Sequence, residues 1–347
     1  MKPVKLVVIG LGSMGGRHVK LIHSDTGCEL VGVCDSDSEK RDVGDKYGVP
    51  FFNDINTLIE KTRPKGAIIA TPSAHHAEVV RICSRYGVHV LIEKPMSNTP
   101  SSAQEIVDLS KTTQIKVLVG HHRRYNSLVK TTREIISSGK IGNLAAVSML
   151  WTLMKPTDYF DVKWRTLRPD GGPVMINLVH ELDSLRYLCG EITQVFAHLS
   201  STTRGFDVED SASISLNFES GAVGSVLASE TVASPWSYES TSGENPLYFH
   251  TNENCYYFLG TLGSLAFPQM HIWSYMDPNS TGWQHELTRA KCVIQPQDAL
   301  TEQLRHFCEV VRGNEHPLVD AQDGAQSLKV ALAVIESADK NRPITLI

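Results

Sequence analysis

The glycine-rich run Gly10-Leu11-Gly12-Ser13-Met14-Gly15 follows directly on an apolar stretch, Val4–Ile9, and a second apolar stretch, Leu30–Cys34, ends at Asp35. Strand, tight turn, helix, strand and acid in that order describe a parallel βαβ unit that holds a dinucleotide. Gly10 marks the tight turn, Gly12 lets the backbone approach a pyrophosphate, and Gly15 lets the helix pack closely on the strand. Ser13 and Met14 open the helix, whose free N–H groups and partial positive charge suit the phosphates. Asp35 lies twenty residues after Gly15, where a carboxylate accepts from an adenosine ribose hydroxyl. The same carboxylate repels a 2′-phosphate, and no Lys or Arg follows before Lys40 and Arg41. NAD is therefore the expected cofactor, with NADP kept as the alternative.

At 347 residues the chain exceeds one typical core, which points to two domains. A composition 41% hydrophobic and 20% charged is that of a globular chain and speaks against disorder. A formal charge of −5 with no basic arm speaks against nucleic acid as a partner. No apolar stretch approaches the ~20 residues that span a bilayer, and the N-terminus enters a strand with no signal-peptide pattern. A cytoplasmic protein that does not bind membranes is expected. The seven cysteines are scattered with no Cys-x-x-Cys pair, so neither a disulfide framework nor a metal is expected.

The first third alternates buried-strand patterns (Val4–Ile9, Leu30–Cys34, Ala67–Ala70, His89–Ile92, Val117–Val119) with helical ones. After Gly120 the rhythm changes. A long polar segment runs from Lys155 to Pro173, helical spacing returns over Val174–Leu188, and period-two alternation dominates from Thr193 to Phe267. Two helices, Ala299–Arg312 and Ala321–Ala338, close the chain. The expected class is α/β: an N-terminal Rossmann domain with a doubly wound parallel sheet over residues 1–121. An α+β domain with a large, mostly antiparallel open sheet is expected over 122–347.

Ligands of open parallel sheets bind beyond the carboxyl ends of the strands. Those ends carry Thr71-Pro72 with His75, then Glu93-Lys94-Pro95, then His121-His122-Arg123-Arg124-Tyr125. Lys94 is held between a buried strand and a proline, which restricts it to extended backbone. An ammonium there can polarise a substrate hydroxyl or carbonyl, and a structural ion pair is the competing reading. In the later helix, Asn177, His180 and Asp183 share a face behind Gly171-Gly172. An unperturbed imidazole titrates near ~6.5, which suits His180 to proton transfer, although a lone His on such a helix is commonly a core residue. Arg123 and Tyr125 are candidate contacts for a hydroxylated or anionic substrate. Tyr159, Trp164 and Arg165 are candidates to wall a nicotinamide.

Together these motifs resemble the Gfo/Idh/MocA oxidoreductases: Gly10-x-Gly12-x-x-Gly15, Thr71-Pro72 with His75, Glu93-Lys94-Pro95, Trp164-Arg165 and Gly-Gly…His180-x-x-Asp183. The resemblance spans nearly the whole chain. It implies a nicotinamide-dependent dehydrogenase of sugars, inositols or related compounds, with a C-terminal sheet used for homodimer or homotetramer contacts. It makes Lys94 and His180 catalytic and brings Trp164 and Arg165 to the cofactor. One departure stands out: the family commonly has Asp four residues before the His, where this chain has Ile176. Asn177 stands in, able to orient a substrate but unable to accept a proton as a carboxylate does. The expected roles are catalysis and substrate binding by Lys94, His180 and Asn177. Gly10, Gly12, Ser13, Met14, Gly15, Asp35, Thr71, Pro72, His75, Glu93, Lys94, Trp164 and Arg165 would bind the cofactor. Alternatives are an NADPH-dependent carbonyl reductase, a non-catalytic dinucleotide sensor and a glycoside hydrolase with tightly held NAD.

Overall fold

Continuous apolar runs in the first third form strands buried on both faces, the pattern of a parallel sheet covered by helices. In the computed structural model, which describes residues 2–277 and 279–346, the chain runs β1 (Val4–Ile9), α1 (Ser13–Ser24), β2 (Cys28–Cys34), α2 (Arg41–Tyr47) and β3 (Phe51–Phe52). It continues through α3 (Ile55–Thr62), β4 (Gly66–Ile69), α4 (His76–Arg85), β5 (His89–Ile92), α5 (Pro100–Thr112) and β6 (Val117–Val119). These strands make one six-stranded parallel sheet in the order β3-β2-β1-β4-β5-β6. The order reverses between β1 and β4, so the loop after β1 opens at the crevice where such sheets bind ligands.

The second set of elements is α6 (Ser127–Ser137), β7 (Leu144–Thr152), α7 (Val179–Cys189), β8 (Ile192–Ser200), β9 (Ser211–Phe218) and β10 (Val223–Ser229). It continues with α8 (Tyr238–Ser242), β11 (Tyr256–Gly260), β12 (Gly263–Phe267), β13 (His271–Tyr275) and β14 (Leu287–Lys291). The chain ends in α9 (Ala299–Arg312), α10 (Ala321–Lys340) and β15 (Ile344–Thr345). Nine strands form a second sheet, β14-β13-β12-β11-β7-β10-β9-β8-β15, antiparallel except for the β7–β10 pair. Buried and exposed residues alternate along β9, so this sheet has one dry and one open face. In β14 every residue is exposed, which explains why alternation gave no sign of it. Lys155–Pro173 holds two short 3₁₀ turns, Thr157–Asp161 and Lys163–Thr166. Among the described residues no helix is long and apolar enough to cross a membrane.

The chain divides into two compact units: the residues up to His122 with Leu300–Leu328, and Arg123–Ala299 with the chain from Lys329 onward. This departs from two contiguous domains, because most of α9 and the start of α10 belong with the first unit. The reason is side-chain packing. Phe307 of α9 is fully buried, and its ring edge would meet a Cβ at Gly66 at 3.0 Å. Arg312 donates to the Gly27 carbonyl at 2.7 Å, and the Val119 N–H donates to the Val319 carbonyl at 2.9 Å.

The core of the second unit encloses charge. Arg123 donates to Glu181 at 2.5 Å and to Glu239 at 2.8 Å, and lies 3.8 Å over the Tyr238 ring. Tyr256 donates its hydroxyl to Glu181, and the Trp151 indole donates to Glu239 at 3.0 Å. Burial pushes the Glu181 carboxyl up to about 7, with the Glu239 charge adding to the rise and Arg123 opposing it.

Two outcomes follow from this packing. Phe307→Ala should cost about 3–5 kcal/mol of stability in chemical denaturation, the range for an emptied aromatic site. A carboxyl raised from 4.5 to about 7 holds a proton in the folded state that the unfolded chain releases, so its stabilisation is lost as pH rises through that interval. The melting temperature of the native protein should therefore fall more between about pH 5 and pH 8 than that of Glu181→Gln. Parallel profiles in scanning fluorimetry would exclude Glu181 as the source.

Candidate active site

In the first unit three backbones converge where side chains are excluded. Gly10 has φ +90°, and a Cβ on it would fall 2.6 Å from the Ala70 carbonyl carbon. A Cβ on Gly15 would overlap the Gly10 carbonyl oxygen. At Gly12, by contrast, a Cβ would meet nothing within 4 Å. The glycine there keeps an open cradle at the start of α1, with Ser13 exposed and Met14 half-buried beside it. Asp35 ties this loop to the end of β2, its carboxylate accepting from the Leu11 N–H at 2.7 Å and from the Asp37 N–H at 2.9 Å. The cradle, the helix N-terminus and the carboxylate fit a dinucleotide. Thr71, directly beyond β4, adds a buried hydroxyl with no partner among the described residues.

The corner after β5 is set by charge. Glu93 is buried and accepts from the His18 ring at 2.7 Å, and the Lys94 N–H donates to its other oxygen at 3.3 Å. Burial alone would raise the Glu93 carboxyl, but the His18 hydrogen bond and charge, with Lys94 and His122, bring it down to about 2. Glu93 is thus a fixed anion that anchors the backbone of half-buried Lys94. His18 is a positioning group absent from the expected site. Its only sequence sign was a polar residue on the otherwise apolar face of α1, three positions after Gly15. His76 is a buried strut. Its ring meets the Thr71 carbonyl at 2.8 Å and the Met96 carbonyl at 3.2 Å, and burial holds its pKa below the usual value. Pro72 and His75 lie exposed around the turn Ser73–His75.

In the second unit His180 is buried on α7, and half-buried Asn177 lies just before it in a π-helical turn, Val174–Leu178. Such turns are frequent at functional sites. Glu209 caps this stretch by accepting from the Val174 N–H at 2.7 Å, and burial raises its carboxyl. Asp183 is held by Arg124 through two bonds of 2.6 and 3.0 Å, which makes it a structural anchor of the helix. Arg123, expected to contact substrate, is buried with its guanidinium committed to Glu181 and Glu239, and that engagement removes it from the candidate ligands. Tyr125 is likewise buried.

A lysine that sequence reasoning passed over takes a central place. Lys155, just beyond β7, is buried and donates to Asn177 Oδ1 at 2.8 Å. Its ammonium is also paired with Glu230 at 2.7 Å. Burial lowers its pKa, and Glu230 opposes the fall. Arg204 donates to the carbonyls of Lys155 and Glu230, each at 2.9 Å. The Tyr159 ring carries Lys155 at 4.5 Å and Arg165 at 4.1 Å, while Trp164 is half exposed. The available signal was Lys155-Pro156 at a strand end, the same pair that singled out Lys94-Pro95. Among the described residues no cluster of His, Cys, Asp and Glu has the makings of a metal site.

The Gfo/Idh/MocA oxidoreductase family, NAD-binding Rossmann fold, matches residues 4–121, and the family's C-terminal alpha/beta domain matches 133–346. Myo-inositol 2-dehydrogenase of Thermotoga maritima is 23% identical over 99% of this chain and 98% of its own. The scyllo-inositol 2-dehydrogenase (NAD(+)) of Bacillus subtilis is 26% identical over 99% and 96%. The WlbA dehydrogenase from Bordetella pertussis, solved with NADH and UDP-GlcNAcA, shares the fold with a TM-score of 0.80 at 21% identity, covering 99% of both chains. With both domains matched over nearly its full length, the chain belongs to the Gfo/Idh/MocA family of NAD(P)-dependent oxidoreductases.

Proposed function

We propose that this oxidoreductase oxidises a secondary hydroxyl of a sugar, an inositol or a related polyol, with NAD as the acceptor. The observation that carries the reading is the Glu93–Lys94 corner, a lysine anchored by a buried, permanently charged carboxylate in the unit that holds the open glycine cradle. A dinucleotide-binding module without chemistry has no need of a lysine held so firmly. The names of the inositol dehydrogenases that match over the full chain support the substrate class.

Gly10, Gly12, Ser13, Met14 and Gly15 hold the pyrophosphate and Asp35 the adenosine ribose, with Thr71, Pro72, His75 and Glu93 at the neighbouring strand ends. The nicotinamide, when bound, supplies the hydride acceptor. A ring nitrogen of His180 takes the hydroxyl proton as the carbinol carbon gives up its hydride, leaving a ketone. The Lys94 ammonium, in the first unit, is the group assigned to stabilise a developing oxyanion. Asn177 orients the substrate, and Trp164 and Arg165 screen the reacting groups from water. NAD is favoured over NADP because the Asp35 carboxylate, locked by two backbone N–H groups at the end of β2, would repel a 2′-phosphate. The reading extends to a cytoplasmic homodimer or homotetramer joined through the open face of the nine-stranded sheet, where Val223, Leu227 and Trp273 are 53%, 52% and 40% exposed.

Three variants test these roles. Lys94→Ala and His180→Ala should each lower kcat by about 10²–10⁴, the usual worth of a positioned acid or base, with NADH affinity within about threefold of the native value. Turnover that survives either change refutes the corresponding role. Asp35→Ala should erode the preference for NAD over NADP by about tenfold, roughly 1.4 kcal/mol, when both are compared by kcat/KM. An unaltered ratio would place cofactor discrimination elsewhere.

A further inference from the structure

Arg305, Cys308 and Arg312 stand at positions i, i+3 and i+7 of α9, a spacing that puts them on one face of the helix. All three meet the turn between α1 and β2. Arg305 donates to the Asp25 carboxylate at 3.2 Å, and Arg312 donates to the Gly27 carbonyl at 2.7 Å. Between these anchors the thiols of Cys308 and Cys28 meet in a hydrogen bond, and the Ile22 carbonyl lies 3.8 Å from Cys28 Sγ. Two thiols from opposite ends of the chain are thus held together by arginine contacts one helical turn before and one after.

The two sulfurs differ in their surroundings. The bond from Cys28, joined by the Arg312 charge, holds Cys308 below the usual thiol range, against burial and the charges of Asp25 and Glu309. The same bond and burial push Cys28 up. At the other buried cysteines burial dominates: it pushes Cys34 and Cys83 up to about 12, and Cys189 and Cys255 higher still. A thiol held low beside one held high makes an asymmetric pair, in which one member supplies a thiolate and the other a proton. Cys308 and Cys28 are 2% and 6% exposed, yet Gly27 is half-buried, Glu29 exposed and the Arg305 side chain 60% exposed. With the surface one residue away, local opening admits a reagent little larger than water.

We propose that Cys28 and Cys308 form a peroxide-reactive dithiol site, which closes to a disulfide between the start of β2 and α9. The Cys308 thiolate attacks one oxygen of hydrogen peroxide and the O–O bond breaks. The hydroxide that leaves takes up the proton Cys308 has given off, and Cys308 becomes a sulfenic acid. The Cys28 sulfur then attacks the Cys308 sulfur, the S–O bond breaks, and the second hydroxide leaves as water with the Cys28 proton. Two thiols have lost two electrons, and one peroxide has become two waters. A thiol reductant reverses the linkage. The site lies at the end of β2 opposite Asp35, so it stands apart from the dehydrogenase chemistry. The bridge encloses nearly the whole chain, and long loops are where a disulfide restricts the unfolded state most.

The test uses the full chain, reduced, freed of reductant and treated with hydrogen peroxide near stoichiometry. Peptide mapping after alkylation under denaturing conditions should find Cys28 and Cys308 in one linked peptide pair, which dithiothreitol separates. The oxidised protein should melt about 3 °C or more above the reduced one. Cys28→Ser should stop at a Cys308 sulfenic acid that dimedone traps. Cys308→Ser should show neither a linked pair nor the rise in melting temperature. If either variant does not fold, the mapping of the native protein still decides. Oxidation confined to half-buried Cys292, or Cys308 carried to sulfinic acid without linkage to Cys28, overturns the proposal. So does a Cys308 that peroxide oxidises no faster than buried Cys83 or Cys189.

Discussion

The first unit depends on one steric fact: Gly10, Gly15 and Ala70 meet with no room for a side chain on either glycine. This contact brings the start of α1 against the ends of β1 and β4, where the strand order reverses. Everything that makes the crevice chemical is hung on it. Asp35 reaches the loop from β2 and Thr71 lies directly beyond β4, while His18, on the helix the glycines admit, reaches across to Glu93 beyond β5. A side chain at Gly15 would push α1 outward and carry His18 away from its partner, so backbone packing and the electrostatics of Lys94 are one constraint.

The two lysines that end strands show how burial can be used in opposite ways. At Glu93-Lys94 the carboxylate is the buried member, held anionic by a histidine, and the lysine is left half-buried. At Lys155 the lysine itself is buried, and its ammonium is consumed by Glu230 and Asn177. Removing either partner of such a pair strands the other's charge, which is why the pairs are costly to alter and effective at fixing geometry. The first arrangement fixes the backbone of a lysine. The second spends a cation to set the direction of an amide.

Much of this was legible in the sequence for physical reasons. Val4–Ile9, His89–Ile92 and Val117–Val119 were readable as strands because burial on both faces demands unbroken apolar runs. Gly10, Gly12 and Gly15 were readable because no other residue meets those steric demands. What stayed hidden is what depends on long-range contact. The commitment of Arg123 to Glu181 and Glu239 joins residues 58 and 116 positions apart, and no local pattern announces it. The membership of α9 in the first unit is fixed by Phe307 against Gly66 and by Arg312 against Gly27, both more than 200 residues earlier. Strand β14, exposed on both faces, carried no alternation to detect.

The replacement of a carboxylate by Ile176 and Asn177 is best understood through the same electrostatics. An Asp at either place beside Lys155 would compete with Glu230 for the ammonium, and three groups would share two charges of one sign. With Asn, Lys155 keeps a single carboxylate partner and gains a neutral acceptor, so all its strong interactions are satisfied within the fold. An amide at this point and a buried lysine beside it are therefore complementary: Lys155 gains a neutral acceptor without a second carboxylate competing with Glu230.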